Sequence, residues 1–216
     1  MTQQGKNAID LVLAESLIEL SAKKPIDKIT IKEITDKAGV IRPTFYNHFQ
    51  DKYELIEWII KTELLEPIKP LLNAGMIFEA IVLMLNNISA NSVFYKKALK
   101  LEGAVTFNQI AMKCVCEMFM NIISEKSTGK KSKYRWLTPE VISTYYAQSL
   151  CFITEGWIAQ GMDDIEPKEM AEAFPDANHT VDDKFKVIYG VEAYLVDDTK
   201  DIVENAAAAP PETIPA

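Results

Sequence analysis

A chain of 216 residues, 48% apolar and 25% charged, is sized for one medium domain or a small domain joined to a larger one, and its composition is that of a globular protein. The net charge of −8 does not exclude nucleic acid, because residues 175–216 carry nine acids against three bases while the rest of the chain is close to balanced. Three cysteines give no disulfide framework, the N-terminus lacks a signal peptide's apolar stretch, and no apolar run approaches the roughly 18–20 residues of a membrane span, so the expectation is a cytoplasmic protein with reduced thiols and no membrane partner.

Ile9, Val12, Leu13, Leu17 and Leu20 recur at helical spacing and predict a first helix over about 7–22, closed by Lys23, Lys24 and Pro25. Thr30 with Glu33 three residues later makes a capping box, so a short helix follows to about Ala38, and Gly39 suits the left-handed residue beyond it. A third helix is expected over about 42–49, and a fourth from Asp51 or Lys52 to Pro67. Two helices joined by a three-residue glycine turn are the helix-turn-helix pattern.

Pro67 and Pro70 read as a boundary. Longer apolar helices follow at about 76–90, 92–101 and 105–125, then the basic loop "KSTGKKSK". The next helix starts from Thr138 as N-cap with Pro139 in its first turn and stops at Gly161. Its two apolar faces (Ile142, Tyr146, Leu150, Ile153 and Trp157; Ala147, Cys151 and Ile158) suit a helix between its own core and a partner. A short helix at 166–174 is expected to end at Pro175; after it "FKVIYGVEAYLV" reads as strand and "AAAAPPETIPA" as low-complexity.

The segment "IRPTFYNHF" carries the chemistry. Phe45 and Phe49, four apart, face inward, which turns Arg42, Pro43, Tyr46 and Asn47 outward with Thr44 and His48 near the edges. Such a helix can enter the major groove, where Arg and Asn read base edges while Tyr, His and Lys reach phosphates; Lys52 opens the next helix where backbone amides also favour an anion.

"ITIKEITDKAGVIRPTFYNHFQDKYELIEWII" resembles the N-terminal domain of TetR-type transcriptional regulators, with T-F-Y-x-H-F closing the recognition helix and D-K-x-x-L following it. The resemblance covers residues 8–60 and implies an all-α fold: a three-helix helix-turn-helix domain at 1–60 and a helical ligand-sensing and dimerisation bundle at 61–174, followed by an atypical acidic tail at 175–216. It implies base or backbone contacts from Arg42, Pro43, Thr44, Tyr46, Asn47 and His48 and phosphate contacts from Thr30 and Lys52. A homodimer on a double-stranded DNA operator, controlled by a small-molecule effector and acting as a repressor, is the functional expectation. Many members carry serine as recognition-helix N-cap where this chain has Ile41, which implies an altered docking angle. Residues 92–162 are similar to the branch containing regulators of dihydroxyacetone kinase, which opens an alternative: an effector-free co-regulator governed by a protein partner.

No catalytic set, cofactor or metal site is expected. Two histidines in the whole chain make neither a metal cluster nor a catalytic triad. Cys114 and Cys116 lie about 200° apart around a helix, so with Cys151 they read as packing thiols. Phe78, Met84, Phe107, Met112, Phe119, Tyr145 and Trp157 are core residues that also form the candidate lining of an effector pocket. "AFPDANHT" and "DKFKVIYGVEAYLVDDTKDIVEN" resemble part of the PHP domain of PolC-type DNA polymerases; the histidine motifs that should precede Glu192 are absent, so this tail is expected to bind no metal and to be dispensable for operator binding.

Overall fold

The computed structural model describes residues 3–103, 105–126 and 136–176, and all regular structure among them is helical. Helix α1 (Gln3–Ser21) buries Leu13, Ala14 and Leu17 completely. A short 3-10 turn, Ile26–Lys28, leads to α2 (Ile31–Ala38). The capping box forms as the sequence predicts: the Thr30 hydroxyl accepts from Glu33 N (3.3 Å) and the Glu33 carboxylate accepts from Thr30 N (2.9 Å). Lys24 above all, then the Thr30 amide and hydroxyl, hold the Glu33 carboxyl down at about 2. Gly39 takes φ +68°, a value that an L side chain rarely adopts, and so turns the chain into α3.

Helix α3 is Arg42–Tyr46, shorter than the 42–49 expected, because Asn47 and His48 form a turn; Phe49 N still reaches Phe45 O at 2.8 Å. Asp51 then starts α4 (Lys52–Ile59) by accepting from Tyr53 N and Glu54 N.

The largest correction is at Pro67 and Pro70, which end nothing. Helix α4 runs on through a π-helical segment, Ile60–Leu65, into α5 (Glu66–Asn73), with Pro67 in the first turn of α5 and Pro70 inside it. A proline cannot donate to the carbonyl four residues back and clashes with it in a regular helix. The wider π turn shifts the pairing, so that Glu66 N donates to Lys61 O, and the Glu63 carbonyl that Pro67 cannot serve accepts instead from Asn87 Nδ2 (2.9 Å).

Helices α6 (Ile77–Ala90), α7 (Ser92–Ala98), α8 (Phe107–Lys126) and α9 (Pro139–Ala159) follow, and the Thr138 hydroxyl caps α9 through Val141 N. Helix α10 (Pro167–Asp176) includes Pro175 rather than stopping before it; in a last turn a proline forfeits a single hydrogen bond. Helix α1 packs on α2, α4 and α7, α5 on α6, and α8 on α9. Among the described residues no single helix is long and apolar enough to cross a membrane.

Residues up to Phe174 form one compact unit, and Pro175 onward does not belong to it. The strand expected at "FKVIYGVEAYLV", the low-complexity end, Glu192 and most of the basic loop lie outside the described residues.

Candidate DNA-binding surface and regulatory core

Helix α3 is fastened from behind by Phe45, fully buried, and Phe49, nearly so, whose rings meet each other and, through Phe49, Trp58. That anchoring leaves Arg42, Pro43, Tyr46 and Asn47 exposed and Thr44 half-buried, as the sequence implies. Arg42 Nη2 donates to the Tyr46 hydroxyl (3.3 Å) and its guanidinium lies 6.0 Å from that ring's centre, so two of the groups suited to DNA are held side by side. A guanidinium has five N–H donors, so this one bond leaves a fork for a guanine edge or a phosphate.

Two expected DNA contacts are corrected. The His48 side chain is only 1% exposed, and its Nδ1 sits 2.6 Å from Asp10 Oδ1, itself nearly sealed on α1. His48 therefore ties the end of the recognition element to α1 and does not present its ring to a phosphate. Lys52 gives its ammonium to three backbone carbonyls, Asp27 O (2.7 Å), Ile26 O (3.0 Å) and Ile29 O (3.2 Å). With three N–H donors and three acceptors, no donor is left over for a phosphate. Burial lowers its pKa, with Asp27 pulling the other way. Thr30 is exposed, but its amide and hydroxyl are engaged with Glu33.

Asp10 was not among the expected site residues. The signal was present: Asp10 lies three residues before Leu13 and seven before Leu17, on the buried stripe of α1, where an acid needs a partner.

The residues expected to line an effector pocket do not share one cavity wall among the described residues. Of these seven residues only Met84 and Phe107 line the cavity of about 40 Å³ that lies between the π segment and α6–α9. Phe78 and Tyr145 are exposed, Met112 and Phe119 pack partly buried against the core, and Trp157 is buried with its indole N–H on Ile165 O (3.1 Å). The cavity wall is apolar except at Tyr95, Thr154 and Glu155. The Tyr95 and Thr154 hydroxyls are buried with no hydrogen-bond partner among the described residues, and burial raises the Tyr95 phenol far above its usual range. Burial also pushes the thiols of Cys114 and Cys151 up to about 12, which makes them inert packing groups.

Outside this cavity a row of charges joins the helix that leaves the DNA-binding end to α8. Glu57 pairs with Lys61 (2.7 Å) and Lys113 (2.8 Å), and Lys61 also with Glu117 (2.7 Å). Burial opposes the charge on Lys61, but its bonds to Glu117 and Glu57 outweigh burial and raise its pKa.

Comparison with known proteins agrees with this architecture. The family described as bacterial regulatory proteins, tetR family, matches residues 15–59, and a transcriptional regulator C-terminal region matches residues 76–177. The chain is 26% identical over 152 residues to the HTH-type dhaKLM operon transcriptional activator DhaS of Lactococcus lactis subsp. lactis (strain IL1403), covering 69% of this chain and 79% of that protein. A solved structure described as the dihydroxyacetone kinase operon activator DhaS shares the fold at a TM-score of 0.55 and 21% identity, covering 78% of this chain and 93% of the other. None of these matches supports the polymerase likeness of the tail.

Proposed function

Because this chain is a TetR-type transcriptional regulator, we propose that it grips a pseudo-palindromic double-stranded operator as a cytoplasmic homodimer, with residues 1–60 as the DNA-binding domain and 61–174 as the controlling one. The observation that carries this reading is the outward set Arg42, Tyr46 and Asn47 on a helix locked from behind by Phe45 and Phe49. Each α3 enters one major groove, with half-sites about one helical turn apart. Arg42 is the first candidate for reading a base and Asn47 the second; Pro43, Thr44 and Tyr46 set the approach to the backbone. The test is a gel shift on the DNA flanking its own gene. Binding is expected to weaken steeply with salt, and Arg42→Ala to relax specificity at one base pair per half-site. No salt-sensitive shift on any neighbouring intergenic fragment sinks the reading.

The dimer face belongs to α9, where the sequence pointed to Tyr145, Tyr146 and Trp157, but of these only Tyr145 is exposed. Trp157 is buried in its own subunit and Tyr146 half-buried, whereas Val141, Tyr145 and Phe152 are exposed, Phe152 by 79%. Spacings of four and seven put these three on one side of the helix. Phe152→Glu is expected to turn a sedimenting dimer into a monomer and to cut operator affinity at least tenfold, since two tethered half-site contacts become separate ones. A variant that still sediments as a dimer overturns this assignment.

A small molecule that prefers one conformation of residues 61–174 would change the operator affinity. A second reading is control by a protein partner, since the chain is similar to regulators described as activators of a dihydroxyacetone kinase operon. A thermal-shift screen with small polyols, fatty acids and cationic amphiphiles separates the two: stabilisation by one compound together with loss of DNA binding supports the effector, stabilisation only by a co-expressed protein supports the partner. The relatives are described as activators, which favours activation over the repression expected from sequence.

A further inference from the structure

The side chain at the tip of the recognition helix stands outside the protein's core. Ile41 is the N-cap of α3, with extended backbone (φ −86°, ψ 151°), and its side chain makes no capping hydrogen bond to the first turn. Its carbonyl does accept from Thr44 N (2.9 Å), but that bond needs no particular side chain. The side chain itself is 68% exposed and stands outside the hydrophobic core, unlike Val40 beside it, which packs against that core. Serine, threonine, aspartate and asparagine are the residues that usually cap such a helix, but here Pro43 has no amide to cap and Thr44 N already donates to the Ile41 carbonyl, so nothing inside the protein asks for a particular side chain at this position.

On the adjoining position stands Arg42, and one turn on are Tyr46 and Asn47, so Ile41 is continuous with the surface assigned to DNA. An aliphatic group can neither donate to nor accept from a phosphate or a base edge. The apolar feature that the major groove offers is the 5-methyl group of thymine, and residues at the start of a recognition helix are those that reach base edges. We infer that Ile41 is a specificity-determining residue that selects thymine at one position of each half-site through contact with its 5-methyl group, next to the position read by Arg42. This rests on the operator reading above.

The contact predicts discrimination by a methyl group alone. Removing one buried methyl should weaken binding about fourfold per half-site. The test takes the best-bound operator and replaces its thymines one at a time by deoxyuridine, which keeps base pairing and removes only the methyl. Wild-type protein is expected to lose about fourfold at one thymine per half-site. It should also regain that loss when a cytosine placed there carries a 5-methyl group, apart from whatever the changed pairing costs. Ile41→Ala and Ile41→Ser should bind deoxyuridine and thymine operators equally, and both should melt close to wild type because the Ile41 side chain is exposed. A full salt-sensitive shift with no deoxyuridine effect at any position overturns this inference alone, as does an Ile41→Ala variant with undiminished sensitivity. Absence of any operator shift overturns the operator reading and this inference with it.

Discussion

Lys52→Met is expected to lower stability by about 2 kcal/mol while leaving the salt dependence of operator binding unchanged. Methionine keeps the length and most of the apolar stem but leaves the carbonyls of Ile26, Asp27 and Ile29 without the ammonium that now gathers them. Hydrogen bonds to a charged group are worth about 1.5–3 kcal/mol each when dry. This site is partly wet, so the total stays near the value of one such bond. The loss is felt because these carbonyls flank Ile26 and Ile29, both sealed in the core between α1 and α2. A melting temperature lower by about 4–8 °C is the calorimetric readout. An unchanged melt together with a slope of log affinity against log salt reduced by about one per half-site would mean that Lys52 binds phosphate after all.

A larger loss of function is expected from Asp10→Ala. The Asp10–His48 contact spans 38 residues and joins α1 to the turn that ends the recognition element, with both side chains almost wholly out of water. Leaving the buried imidazole N–H without its acceptor costs about 1–3 kcal/mol. Because α3 has only five residues and no side-chain N-cap, little else fixes its angle besides Phe45 and Phe49. Operator affinity measured well below the melting temperature should fall more than tenfold. Asp10→Asn, which keeps an acceptor for the imidazole N–H, should recover most of it. Urea unfolding and a binding titration on the same samples decide the matter. If Asp10→Ala loses stability but binds the operator as wild type does, the pair is a packing contact with no bearing on recognition.

What was legible in the sequence was local. The Thr30–Glu33 box, the turn at Gly39 and the inward pair Phe45 and Phe49 each depend on residues within four positions of one another, and each formed as read. What was missed depends on partners far along the chain. Nothing near Lys52 shows that its ammonium will meet carbonyls 23 to 26 residues earlier, and nothing near His48 points to Asp10. Pro67 and Pro70 were read as a boundary because in a regular helix they would be one; the side chain that rescues the orphaned carbonyl, Asn87, is 24 residues away. On α9 the difficulty was of another kind. Apolar residues lie on every side of that helix, so periodicity could not say that Val141, Tyr145 and Phe152 would be left outside.

The π segment also sets where the molecule opens first. Its wide turn closes with weaker hydrogen bonds than an α-helix, and the two prolines after it withdraw amides that would otherwise lock the junction. Backbone protection against exchange with heavy water should therefore dip across Ile60–Leu65 and recover on both sides, although the residues up to Phe174 form one compact unit. The dip falls on a segment that also lends Ile60, Leu64 and Leu65 to the wall of the cavity, so the place that loosens first borders the space within the core.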